Sequence, residues 1–207
     1  YGVNLASSDA SVVQGWTGTA GDANFYVGFG ALTAGGSAAL SLQTAFDKSA
    51  DGAVIHVASG TYGQSASLNG ARGLDFDNVT LESLMLSGAG SSLRGNLTLT
   101  GAGFSADAPL LLTGNTNITA SGAARFAAVD GTSAGGQSFT LVAGTVELGS
   151  LGSQTRLGAT SVSSNQTVLG GAAYNADSFS FSGTGSNASV RLTQALTRFD
   201  TRAAGGN

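Results

Sequence analysis

The phrase Asn78-Val79-Thr80-Leu81 returns as Asn96-Leu97-Thr98-Leu99, Asn117-Ile118-Thr119-Ala120 and Ser138-Phe139-Thr140-Leu141, then more faintly as Ser161-Val162-Ser163 and Ser178-Phe179-Ser180-Phe181. The starts step by 18, 21, 21, 23 and 17 residues, a period near 20. Repetition at a short fixed period marks stacked units, each too small to bury its apolar face without a neighbour. Alternation within the phrase assigns its faces, because residues two apart on a strand point the same way. Val79, Leu81, Leu97, Leu99, Phe139 and Leu141 are expected inside. Thr80, Thr98, Thr119, Thr140, Ser163 and Ser180 are expected in one outward column. The Asn residues that head the first three copies are placed to stack as a side-chain amide ladder.

Between the copies lies a second apolar set: Leu110 and Leu112, Phe126 and Ala128, Val146 and Leu148, Val168, and Val190 and Leu192. Each period thus holds two or three strands, separated by Gly-rich corners such as Gly88-Ala89-Gly90 and Gly170-Gly171. Composition agrees. The 207 residues include 33 Gly, and 10% are charged, against about 25% charged and 7% Gly in an ordinary domain. Gly costs a helix interior about 1 kcal/mol relative to Ala, which excludes a helical bundle. Collagen is excluded by the single Pro, and simple disorder by 42% hydrophobic residues with a net charge of only -4. An all-β sandwich also uses short alternating strands, but it has no reason to restart one phrase every 20 or so residues.

Residues 1–36 lack the period and are expected to be an irregular segment, a cap or a subunit contact, around Val12-Val13, Trp16 and Phe25-Tyr26-Val27. The β-helix domain is expected over 37–207, with a helix at 41–50 and an end coil or cap at 192–207. In the first of these, Leu42, Ala45 and Phe46 share a helical face behind Ser41 as N-cap. In the last, Leu192, Ala195, Leu196 and Phe199 fit a helix or a final strand.

The stretch from Ser41-Leu42-Gln43-Thr44-Ala45-Phe46 through Val54-Ile55-His56-Val57 to Gly60-Thr61-Tyr62 resembles the entry into the β-helix of the pectin-lyase-like superfamily. The repeats from Asn78 onward are similar to passenger regions of bacterial autotransporters and filamentous-haemagglutinin-like adhesins. The likeness runs over roughly 37–192. It implies a single-stranded, right-handed parallel β-helix (β-solenoid) of about 20 residues per coil with a short N-terminal capping helix, and a secreted, extracellular or cell-surface location. Function is not implied, since that superfamily includes lyases, hydrolases, adhesins and inert stalks.

Chemistry-bearing residues are few. His56, the sole His, reads as an outward polar residue of its strand rather than a base. Asp75 and Asp77 alternate around Phe76 and would lie about 7 Å apart on one face. They are weak calcium candidates, since calcium takes six or more oxygens and no third acid adjoins them. Asp130-Gly131 reads as a turn. Asn78, Asn96, Asn117, Asn165 and Asn187 sit in N-x-S/T sequons, a by-product of the repeat itself. An ice-binding hydroxyl array would need T-x-T pairs along the repeats, and there only Thr98 and Thr100 form one. There is no Cys, no nucleophile or metal motif and no basic run, so no cofactor, metal site or nucleic-acid partner is expected. Nor does any apolar run approach the roughly 20 residues of a membrane helix.

The charges are sorted by end. Residues 1–107 hold eight acids and three bases, and residues 108–207 hold four acids and five Arg. Asp47 and Asp51 near one end, with Arg191, Arg198 and Arg202 near the other, are the assembly candidates for a head-to-tail contact. The leading expectation is a non-enzymatic secreted structural protein that builds an extracellular fibre or surface stalk from copies of itself, possibly adhesive toward cell-surface glycans. The alternative is a polysaccharide-binding or lyase-like β-helix acting through Asp75, Asp77, Glu82 and Arg94.

Overall fold

A computed structural model of the chain describes residues 24–27 as backbone, together with residues 43, 46, 49, 51–57, 59–195 and 197–201. Among these residues eleven strands follow in order: β1 (Asn24–Val27), β2 (Val54–Val57), β3 (Gly60–Thr61), β4 (Ser65–Asn69), β5 (Gly73–Ser87), β6 (Ser92–Gly131), β7 (Phe139–Leu151), β8 (Leu157–Leu169), β9 (Ala173–Gly183), β10 (Ser189–Leu192) and β11 (Arg198–Asp200). All described pairings are parallel. The chain is a parallel β-solenoid of about seven turns with about 20 residues per coil. Of the segment 41–50, only Gln43, Phe46 and Ser49 lie within the described residues, so the capping helix is not shown. Of the expectations for 1–36, that for Phe25-Tyr26-Val27 is met by β1, which pairs with β2 over the first coil; the rest of 1–36 and the chain beyond Thr201 fall outside the described residues.

The long strands bend around corners, and three ladders result. β5 pairs in succession with β2 (Val54 with Gly73), β3 (Gly60 with Val79) and β4 (Ser65 with Ser83). Each coil therefore lays down three strand pieces, the upper of the two numbers the repeat allowed. Inward residues stack coil upon coil. In the second ladder Val79 lies over Leu97, and Ile118 is followed by Leu141, Val162 and Phe181. All of these but Phe181 are buried, as the alternation requires. Aromatic rings add to the stack: Phe104 and Phe126 stack with centroids 4.8 Å apart, and Phe139 meets Phe126 edge-on at 5.4 Å.

The register corrects the alignment of the repeat copies. Ile118 pairs with Leu141 rather than Phe139, and Ser161 pairs with Thr140 and Ser180. The expected single Thr/Ser column is therefore two adjacent columns. One runs from the Asn residues into Thr140, Ser161 and Ser180; the other holds Thr80 and Thr98, then Thr119, Val142, Ser163 and Ser182. The slip is two residues, so no side chain changes face. Its source is the turn at 132–137, which adds length to one coil. Gln137, buried there, accepts bonds from the Thr132 and Ser133 amides at 2.9 and 3.1 Å and donates to Ser133 Oγ at 3.0 Å.

The amide ladder is present. Asn96 Nδ2 donates to Asn78 Oδ1 at 3.1 Å, and Asn117 Nδ2 donates to Asn96 Oδ1 at 2.6 Å. Asp130 is more than a turn residue. It is buried, and its Oδ1 accepts from the Gln154 and Thr155 amides at 2.7 and 3.2 Å, closing the corner of the next coil. At the C-terminal end the strand reading holds, with β10 on β8 and β11 on β9.

Candidate functional site

The side chains singled out for catalysis do not form one site. On the outward face of the first ladder, His56, Asp75 and Arg94 are register partners in consecutive coils. His56 Nδ1 lies 2.6 Å from Asp75 Oδ2, and the same oxygen accepts from Arg94 Nη2. The bond from Arg94 holds the Asp75 carboxyl below the usual carboxylate range, with burial opposing it and the His56 bond adding to it. Asp77 is an unpaired extra residue between Phe76 and Asn78, exposed at the corner. Burial, and then the charge of Asp77, push the nearby Tyr62 phenol up to about 12. Glu82 occupies a different corner, beyond Leu81, and accepts from Ser65 Oγ at 3.1 Å. Among the described residues no group of three or more His, Cys, Asp or Glu is placed to hold a metal ion.

The His56, Asp75 and Arg94 stack is thus an outward charge ladder, and its stabilising effect depends on pH. A carboxyl with a lowered folded-state pKa contributes stability above its unfolded pKa and loses it as pH falls through the folded value. Urea midpoints of wild type and Arg94→Met should therefore differ near pH 7, begin to approach each other below about pH 4, where unfolded Asp protonates, and meet only once pH has fallen through the lowered folded-state value of Asp75. An equal difference at all pH values would show that Arg94 acts through packing alone.

A groove of about 510 Å³ runs beside the third ladder, lined by Ser105, Asp107, Arg125, Glu147, Gly149 and Thr193 among others. Arg125 Nε and Nη2 donate to Glu147 Oε2 at 2.8 and 2.5 Å, so these opposite charges satisfy each other. None of the expected lyase residues lines it.

The ends of the solenoid are more informative. Three inward columns end at the last coil in residues that have lost their cover. Phe126, Leu148 and Leu169 are 3%, 1% and 1% exposed, and Leu192, next in that column, is 53% exposed. Val190 follows buried Val146 and Thr167 and is 51% exposed; Phe199 follows Leu151 and Tyr174, both 0%, and is 43% exposed. Phe181 is partly buried beside them, its ring facing Phe199 edge-on at 6.3 Å. These are core residues by position and surface residues by exposure.

The assembly candidates divide. Arg191 is exposed on β10. Arg198 donates to Asp200 Oδ2 at 2.9 Å, and Asp200 also accepts from Arg156, whose Nη2 reaches Oδ1 at 2.9 Å, so Arg198 is engaged within the subunit. Arg72 donates to Asp51 and also to the Ser49 carbonyl at 2.6 Å. Asp51 therefore spends its charge holding the chain entry against the second coil. Asp47 and Arg202 lie outside the described residues.

Among the described residues the geometry defines a class, a parallel β-solenoid whose last described coil exposes residues of its inward columns. No protein family, curated protein or solved structure matches the chain. Among the described residues, no helix is long and apolar enough to cross a membrane.

Proposed function

We propose that this chain is a non-enzymatic, secreted structural protein, a solenoid rod that is extended end-on by association with further copies of itself in an extracellular fibre or surface stalk. The uncovered core at the C-terminal coil carries this reading. Exposed β edges pair with other chains unless charge, Pro or a cap blocks them, and here the apolar centre is left open as well. The head-to-tail charge sorting contributes less, because Asp51 and Arg198 are already paired within the subunit. The resemblance of the repeats to autotransporter passengers and filamentous adhesins, and of the entry to the pectin-lyase-like superfamily, supports an extracellular rod. Small-angle X-ray scattering over a concentration series tests this. One solenoid of seven turns is roughly 34 Å long at about 4.8 Å per turn, and the maximum dimension is expected to grow by at least that length as concentration rises. A dimension independent of concentration would overturn it.

The groove beside Arg125 and Glu147 favours a second reading, a polysaccharide-binding surface. Titration with acidic and neutral oligosaccharides, followed by amide shifts of Ser105 and Thr193, tests it; unmoved resonances would exclude it.

A further inference from the structure

Among the described residues two buried side-chain oxygens meet no hydrogen-bond partner, Thr197 Oγ1 and Asp177 Oδ1. The first belongs to a neutral hydroxyl. The second belongs to a carboxylate, which is costly to hold away from water without a donor or a cation. Asp177 lies opposite Gly158, between the register pairs Leu157–Ala176 and Ala159–Ser178. Its carboxylate reaches past Gly158 to the turn at 132–137, where a Cβ on Gly135 would lie 2.7 Å from Oδ2 and 3.3 Å from Oδ1. Two carbonyls converge on Gly158 itself. A Cβ there would lie 2.9 Å from the Gly135 oxygen and 3.1 Å from the Gln137 oxygen. The Gln137 carbonyl accepts from the Gly158 amide at 2.7 Å, and a carbonyl oxygen has a second lone pair to give. The nearby guanidinium is engaged elsewhere: Arg156 donates to the Ala176 carbonyl at 2.6 Å and to Asp200 Oδ1 at 2.9 Å.

We propose that Asp177, with the Gly135 and Gln137 carbonyls, holds a calcium ion in the space that Gly158 leaves by having no side chain. The donor set selects the ion. All of its members are oxygens and two are backbone carbonyls, the ligands that calcium takes at loosely fixed angles, with water making up six or more. Zinc and the softer metals take Cys and His; the chain has no Cys, and its sole His, His56, lies on β2. Magnesium demands a near-ideal octahedron and gives up its water reluctantly. Backbone carbonyls let the site form without a cluster of acids. Asp75, the acid with the more obvious neighbours, is already satisfied by His56 and Arg94. One carboxylate brings little charge, which places the affinity in the weak range of about 0.1–1 mM. The ion ties three successive coils together at one corner: the turn at 132–137, β8 and β9.

Calcium chloride titrated into the full-length chain, followed by backbone amide resonances, tests the site. Shifts are expected at Gly135, Gln137, Gly158 and Asp177, half complete at about 0.1–1 mM calcium, with Asp75 and Asp77 unmoved. Asp177→Asn keeps the shape of the side chain and removes its charge, and is expected to weaken binding at least about tenfold. Gly158→Ala sets a methyl against both carbonyl oxygens and is expected to do the same. Circular dichroism shows whether each variant folds; if neither does, the wild-type titration decides alone. Magnesium chloride and sodium chloride at matched ionic strength should leave the four resonances in place. Equal movement with either salt would overturn the assignment to calcium. So would shifts confined to Asp75 and Asp77, undiminished binding in a folded Asp177→Asn variant, or no shift up to about 10 mM calcium, ten times the weak limit of that range.

Discussion

Gly95→Ala is expected to destabilise the solenoid by about 3–5 kcal/mol and to lower Tm by about 10 °C. Gly95 has φ +98°, and a Cβ there would lie 1.7 Å from the Phe76 carbonyl oxygen and 2.7 Å from its carbon. The close approach follows from Asp77. Phe76 pairs with Gly95 and Asn78 with Asn96, so the second coil carries one residue more than the third at this corner, and Gly95 lies beneath the extra bend. A bulge of this kind needs a residue without a side chain on the partner backbone. Gly52→Ala is the control, since Gly52 has φ +80° with nothing within 4 Å of the added methyl. It should cost about 1 kcal/mol, the positive φ alone. Urea unfolding of both variants checks the comparison, and equal midpoints would refute the clash.

The second large effect is expected from Phe139→Ala, about 3–5 kcal/mol. Phe139 is 0% exposed and pairs with Thr116 and Thr160, neighbours too small to close the space its ring would leave. Loss of the ring also removes the edge contact to Phe126. Because each coil touches only its neighbours, the damage should be local. Hydrogen exchange should quicken in β6, β7 and β8, with β2 and β4 unchanged. Met85→Ala, at a position 45% exposed, should stay within about 0.5 kcal/mol of wild type. A Phe139→Ala variant equally close to wild type would mean that the stacked interior is not what holds the coils.

Repetition made the fold legible. Asn-apolar-Thr-apolar carries three instructions at once: an amide for the ladder, an inward side chain and an outward hydroxyl. Where the phrase is intact, at Asn78, Asn96 and Asn117, the sequence determines register as well as face. From Ser138 onward the copies lose the Asn, and Phe139 and Leu141 serve equally as the first inward residue. A slip of two residues leaves the alternation unchanged, so periodicity is blind to it; the turn organised by Gln137 decides the matter. The His56, Asp75 and Arg94 ladder had a readable signal, because 56, 75 and 94 are separated by 19 and 19 residues, one coil each. The neighbouring acids Asp75 and Asp77 mask it by resembling a carboxylate pair. The buried role of Asp130 was less accessible, since its partners, the Gln154 and Thr155 amides, are backbone groups.

The ends were the least legible part. Counting charges sorts acids toward one terminus and Arg toward the other, yet it cannot register that Asp51 faces Arg72 or that Arg198 faces Asp200. Nor does the sequence distinguish a Leu beneath another coil from a Leu with none above it. Leu169 and Leu192 are equivalent by pattern, and they differ from 1% to 53% exposure because Leu192 covers Leu169 while, among the described residues, no strand covers Leu192. That difference shifts the weight of the functional reading from charge to the uncovered core.

Sedimentation velocity of wild type beside Leu192→Glu, over one concentration series, bears most directly on that reading. Wild type should move from the 20.2 kDa monomer to larger species as concentration rises, while the variant stays monomeric at every concentration tested. Identical behaviour of the two proteins, whether both monomeric or both associated, would contradict the assignment of the C-terminal coil as the surface through which this solenoid assembles.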